Sequence, residues 1–176
     1  MRAIFLALTL VALAACAPVG TSRTAESADL LTREQRLGYR FDGARVSVDI
    51  LYSELIGRDI DPAAVEAAVD EAATRNLEWF VGSQDVVIAL DITYLNILSS
   101  GQAMLLGGLS EMRANLSVYD AGGETLLAGP VQIVADGDGW APGGLLSVAQ
   151  MRPREAELAA LADVLTERAR RALLGG

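Results

Sequence analysis

Apolar and polar residues alternate with a period of two in several stretches of this chain and recur at helical spacing in two others. From Ala44, Val46, Val48 and Ile50 alternate with Ser47, Asp49 and Leu51, which predicts a strand. Asp61-Pro62 then opens a helix, because aspartate suits the N-cap and proline at the first helical position loses no bond. Its apolar stripe is Val65, Ala68, Val69, Ala72 and Ala73, and the pattern can continue through Leu77 to Phe80 before Gly82. Asp85 to Leu98 reads as a long strand, with Val86, Ile88, Leu90, Ile92 and Tyr94 on one face. Met112, Ala114, Leu116 and Val118 alternate with Arg113, Asn115, Ser117 and Tyr119 to give the next strand.

Asp120-Ala121-Gly122-Gly123 has turn chemistry and leads into a last strand from Glu124 to Ala135, where Gly129-Pro130 predicts a bulge or an edge position. After Arg152-Pro153, Leu158, Leu161, Ala162, Leu165, Ala169 and Ala172 mark a final amphipathic helix that Gly175 ends. The expected order is β-α-β-β-β-α. The fold class that follows is a two-layer α+β domain, a mostly antiparallel sheet of about four strands with two helices on one face.

The N-terminus follows a different pattern. Arg2 supplies a positive start, Ala3 to Leu13 is an apolar run broken only by Thr9, and Ala14-Ala15 leads into Cys16. About eleven apolar residues are too few to cross a bilayer and fit the apolar region of a secretory signal. Leu13-Ala14-Ala15-Cys16 resembles the lipobox of bacterial lipoprotein signal peptides. That resemblance implies cleavage before Cys16, diacylglycerol on its sulfur and an acyl chain on the new amino terminus. In Gram-negative lipoproteins aspartate after the cysteine commonly signals inner-membrane retention. Ala17 stands there, so the resemblance implies the outer membrane, facing the periplasm.

The stretch after Cys16 is polar and broken by Pro18, Gly20 and Gly38. Residues 17–28 read as a flexible tether of about 40 Å when extended. Residues 30–37 form either a short helix or more linker. The expected division is a signal peptide over 1–15, the lipidated cysteine and tether over 16–40, and one globular domain over 41–176. Strand order, tether and lipobox together are similar to small periplasm-facing lipoproteins of Gram-negative bacteria, of the lipopolysaccharide-assembly or transport-auxiliary type. The hairpin turn from Asp120 to Leu127 resembles the meander hairpin of those proteins. No binding residue carries over from the resemblance.

Composition narrows the chemistry. The chain has no histidine, and every one of its fourteen basic residues is arginine. With Cys16 capped by lipid, no imidazole base, Schiff-base lysine, Cys-His pair or Cys/His zinc site is available. No disulfide is possible either, so the domain must fold by packing alone. Net charge is −9, a poor match for nucleic acid phosphates or for an anionic lipid surface. The expected reading is a non-catalytic protein with no cofactor, no metal and no nucleic-acid partner, held to a membrane by its lipid and serving an envelope protein partner.

Other motifs are weaker. Asp136-Gly137-Asp138-Gly139 suggests a calcium loop, yet Ser147 stands where the late bidentate glutamate belongs. Gly101 to Gly108 lacks the Gly-Lys-Ser/Thr ending of a phosphate loop. Asp49, Glu54, Asp59 and Asp61 raise the alternative of a carboxylate-dependent hydrolase of envelope glycans, and a carrier of a lipid or other hydrophobe is a further alternative.

Two connections break the expectation that loops are polar. Residues 99–110 contain Met104, Leu105, Leu106 and Leu109, and residues 136–151 contain Trp140, Leu145 and Leu146. Alternate connections of a meander lie at the same end of its sheet, so the two are expected to be neighbours, opposite the Asp120 turn. Side by side they would form a contact patch for a protein partner or an acyl chain, unless they fold back to cap the core.

Overall fold

A computed structural model of the chain describes residues 23–24, 29–48, 55–56, 60–78, 82–137, 143–149 and 151–175. The elements run β1 (Arg23–Thr24), α1 (Arg33–Gly38), β2 (Tyr39–Val48), β3 (Leu55–Ile56) and α2 (Pro62–Leu77). They continue with β4 (Gln84–Asn96), α3 (Ser100–Leu105), β5 (Glu111–Asp120), β6 (Leu126–Asp136), α4 (Leu145–Ala149) and α5 (Arg154–Leu174). The strands lie in the order β1-β6-β5-β4-β2, with β3 also paired to β4.

This is the two-layer α+β architecture, with one difference in direction. β4, β5 and β6 form the antiparallel meander, whereas β2 runs parallel to β4 from Tyr39↔Gln84 to Val48↔Ile92. The sheet is therefore mixed. α2 is the reason: its sixteen residues return the chain about 24 Å to the end where β2 began, as a parallel crossover requires.

α2 starts as expected, with Asp61 Oδ1 accepting from the Ala63 N–H at 3.0 Å and Pro62 at the first turn. Its buried stripe, Val65, Val69, Ala72, Ala73 and Leu77, and that of α5, Leu158, Leu161, Ala162, Leu165, Ala169 and Ala172, cover the same sheet face. Between the helices the Asn76 amide donates to Thr166 Oγ1 at 2.7 Å, and Arg75 bridges Glu71 and Asp163 at 2.6 and 2.7 Å. The sheet supplies Val86, Ile88, Leu90, Ile92, Met112, Ala114, Leu116, Val118, Val131 and Ile133 to this core.

Three details depart from simple alternation. At Thr93 the register with β5 skips, Ile92 facing Ala114 and Tyr94 facing Arg113. The extra residue reverses the phase, so Leu95 enters the core and Tyr94, expected on the core face, does not. In β6, Leu116↔Val131 is followed by Val118↔Ala128, so Gly129-Pro130 forms the bulge the sequence pointed to. The packed domain also begins earlier than Phe41. Leu31 is buried, Thr32 caps α1 through a reciprocal capping box with Gln35, and the Leu30 N–H donates to the Ala172 carbonyl at 2.8 Å.

Candidate functional site

The sheet has two poles. One holds the Asp120 turn; the other holds the connections leaving β4 and β6. In the hydrogen-bonded turn the Gly123 N–H donates to the Asp120 carbonyl at 2.8 Å, and Asp120 Oδ1 accepts from the N–H groups of Glu124 and Thr125 at 3.0 and 3.1 Å. The Thr125 side chain, followed by these backbone donors, holds the Asp120 carboxyl below its ordinary value. Beside it, Arg40 Nε and Nη2 grip Asp85 at 2.5 and 2.8 Å and lower its carboxyl in the same way.

The opposite pole is built from the two apolar connections, which contain short helices. Ser99 caps α3: its hydroxyl accepts from the Gln102 N–H at 3.2 Å, and Gln102 Oε1 accepts from the Ser99 N–H at 3.0 Å. This cap fixes the phase of a single helical turn and half, so that Ala103 is buried and the next three side chains point outward. Met104 is 48% exposed, Leu105 79% and Leu106 82%. The chain returns to β5 through Ser110, a buried residue whose hydroxyl accepts from the Leu98 N–H at 3.1 Å and whose carbonyl accepts from the Gly137 N–H at 2.8 Å. Leu109, just before it, is 37% exposed.

The second connection meets the first backbone to backbone. The Gly144 N–H donates to the Met104 carbonyl at 2.9 Å, and a Cβ on Gly143 would lie 3.7–3.9 Å from Gly107 N and the carbonyls of Ala103 and Met104. α4 follows at once, with Leu145 74% exposed. The structure thus brings Met104, Leu105, Leu106, Leu109 and Leu145 to one pole. Leu146 belongs to α4, but its side chain, like Trp140 and Cys16, lies outside the described residues. No charged residue occurs between Asp91 and Glu111 or between Asp138 and Arg152, so both contributing segments are uncharged.

Several carboxylates take structural roles. Asp61 caps α2, and Asp136 pairs with Arg168 at 3.2 Å, while Arg168 also donates to the Val134 carbonyl. Glu111 is paired with Arg113. Asp49, Glu54, Asp59 and Asp138 lie outside the described residues. Among the described residues no group of three or more acidic, histidine or cysteine side chains is placed to hold a metal ion.

One arrangement escaped the sequence reading. On the sheet face away from the helices, Ser47, Asp91, Asn115 and Gln132 pair laterally across four strands, with Ser47 Oγ donating to Asp91 Oδ1 at 2.7 Å. Arg113 lies 4.8 Å from the Tyr94 ring centroid on one side of this row, and Arg45 lies 4.6 Å from that of Tyr119 on the other. Each residue belongs to a visible period-two pattern, but their alignment depends on register between distant strands.

No helix among the described residues is long and apolar enough to cross a membrane. No protein-family model matches the chain, and no curated protein matches it in sequence. Among solved structures it is similar to a PelC variant from Paraburkholderia phytofirmans, solved as a dodecamer, at 12% identity and a TM-score of 0.40 over 88% of this chain and 98% of that one. A second PelC dodecamer from the same organism gives 12% identity and a TM-score of 0.33 over 79% and 94%. A candidate lipoprotein from Caulobacter crescentus CB15 gives 16% and 0.29 over 72% and 81%. These distant likenesses give the chain neither an activity nor an assembly state.

Proposed function

We propose that this chain is a lipid-anchored lipoprotein of the outer membrane, facing the periplasm, that acts as a non-catalytic accessory or scaffold in envelope assembly or transport. The observation that carries the reading is the junction Leu13-Ala14-Ala15-Cys16 after a short apolar run with a positive start. A single acyl chain binds a membrane only marginally, whereas the two or more chains of a lipoprotein hold it durably. The chain offers no histidine or lysine for catalysis, and Arg40, Arg75, Arg113 and Arg168 are paired with Asp85, Asp163, Glu111 and Asp136. An uncharged apolar pole and an open polar sheet face are surfaces for contact rather than for chemistry.

Crosslinking the full chain in envelopes of its native host, followed by identification of the captured proteins, tests this reading. Capture of an envelope-assembly or transport component by the wild type, lost in Cys16→Ser, is the expected result. Turnover of envelope glycans by the purified protein, or the same capture by a Cys16→Ser protein released from the membrane, would overturn it.

A further inference from the structure

The length of the tether and the chemistry of the two poles together indicate what the apolar pole touches. The thirteen residues of β4 span about 43 Å. β1 is fixed beside the middle of β6 by the pairs Arg23↔Val131 and Thr24↔Gln132. Arg23 is seven residues after Cys16, a leash of at most about 25 Å. On the lipid-anchored reading, on which this inference rests, a leash of about half the sheet's length keeps some surface of the domain at or close to the bilayer. Either pole is within reach. Their chemistry chooses between them.

The turn pole carries Asp120, Glu124, Arg45, Arg40 and Asp85, several of them ion-paired or hydrogen-bonded, and its exposed leucines, Leu37 and Leu126, stand singly, each with a charged residue, Arg36 or Glu124, within two positions. The other pole presents Met104, Leu105, Leu106 and Leu145 from two segments without a charge. Charges of both signs begin behind this tip: the exposed Arg152 and Arg154 after α4, Glu157 of α5 beside Gly137, and Glu111 and Asp136, paired with Arg113 and Arg168, at the ends of β5 and β6. An uncharged apolar tip with its charges set behind it suits a lipid interface, where leucine enters the acyl boundary and charged groups remain at headgroup level. The acidic remainder of the chain is repelled by anionic lipid and stays in water.

We infer that the pole formed by α3, Leu109 and α4 is a bilayer-contact surface, with Leu105, Leu106 and Leu145 entering the leaflet that holds Cys16. This fixes the orientation of the domain: the Asp120 turn points away from the membrane, the strands stand along the membrane normal, and the row from Ser47 to Gln132, which crosses them, runs parallel to the bilayer on the sheet face away from the helices.

The test uses the full lipidated chain with one added cysteine, in Leu105→Cys, Leu145→Cys or the turn-pole control Ala121→Cys. Lipid occupies Cys16, so the new thiol alone takes an environment-sensitive fluorophore. The labelled proteins are reconstituted into phosphatidylethanolamine/phosphatidylglycerol vesicles containing nitroxide-labelled acyl chains. Nitroxide lipids are expected to quench the probes at 105 and 145 by about half or more while the probe at 121 stays bright. Equal, weak quenching at all three positions overturns the inference. So does a probe at 105 that is shielded in native envelopes but wet in pure vesicles, which assigns the pole to a protein. Failure of the protein to float with the vesicles would instead refute the anchored reading itself, and this inference with it.

Discussion

The amide N–H of Gly144 donates to the carbonyl of Met104 at 2.9 Å, joining two connections that leave different strands of the sheet. The bond positions α4 beside α3 and so creates the apolar pole. Gly144 has φ +94°, a conformation that disfavours any side chain although the space around it is open. Gly144→Ala is expected to strain this junction by about 1–3 kcal/mol and release α4 from α3. Hydrogen exchange should then accelerate at residues 144–149 while β5 keeps its protection. Unchanged exchange at α4 would show that the contact is not what holds it.

Leu105 and Leu106 are 79% and 82% exposed and contribute little to the core. Leu105→Ser combined with Leu106→Ser should alter unfolding free energy by no more than about 0.5 kcal/mol. By contrast, Leu116→Ala removes a fully buried side chain and should cost about 2–5 kcal/mol. Denaturant titration of the variants separates the two cases. A loss in the serine pair comparable to that of Leu116→Ala would make the pole part of the core.

Gly82 is a second position at which glycine is required, for a different reason. Its N–H donates to the Tyr39 carbonyl at 2.7 Å, and a Cβ there would collide with the Gly38 carbonyl group and approach Tyr39 O to 2.5 Å. Since the obstacle is backbone, Gly82→Ala must push apart the starts of β2 and β4. A loss of stability beyond the average substitution, more than about 1 kcal/mol, is expected in the same titration. A neutral effect would mean that the approach is looser than described.

Acid should weaken the turn pole selectively. Asp120, through Thr125 and the backbone donors, and Asp85, through Arg40, have folded-state values below those of the unfolded chain. Their contribution is therefore present above the unfolded value, about 3.9 for aspartate, and is lost as pH falls through the lower folded value. Unfolding midpoints measured below about pH 5 should fall with pH in the wild type and fall less steeply in Asp120→Asn. Parallel profiles would remove Asp120 from the explanation.

Local rules account for much of this fold. Asp61-Pro62 starts α2, the stripe from Leu158 to Ala172 is buried along α5, and Gly129-Pro130 bulges β6, because each depends on neighbours in sequence. The misreadings arise where distant contacts decide. The extra residue at Thr93 turns Tyr94 out to meet Arg113 and Leu95 inward, a shift that alternation alone cannot show. Leu31 lies in a polar stretch that looks like tether, yet it is buried and its neighbour Leu30 bonds to Ala172. At the candidate site, composition exposed the leucines of residues 99–110 and 136–151. Their short helices and the Gly144–Met104 junction required the fold, as did the alignment of Ser47, Asp91, Asn115 and Gln132.

Lipid anchoring turns on one atom, the sulfur of Cys16. Intact-mass measurement of the protein extracted from its native membrane tests it most directly. The expected product is a chain beginning at Cys16, heavier than residues 16–176 by a diacylglycerol and an amide-linked acyl group, with that mass absent in Cys16→Ser. A membrane-bound product with the mass of the unmodified polypeptide would contradict it.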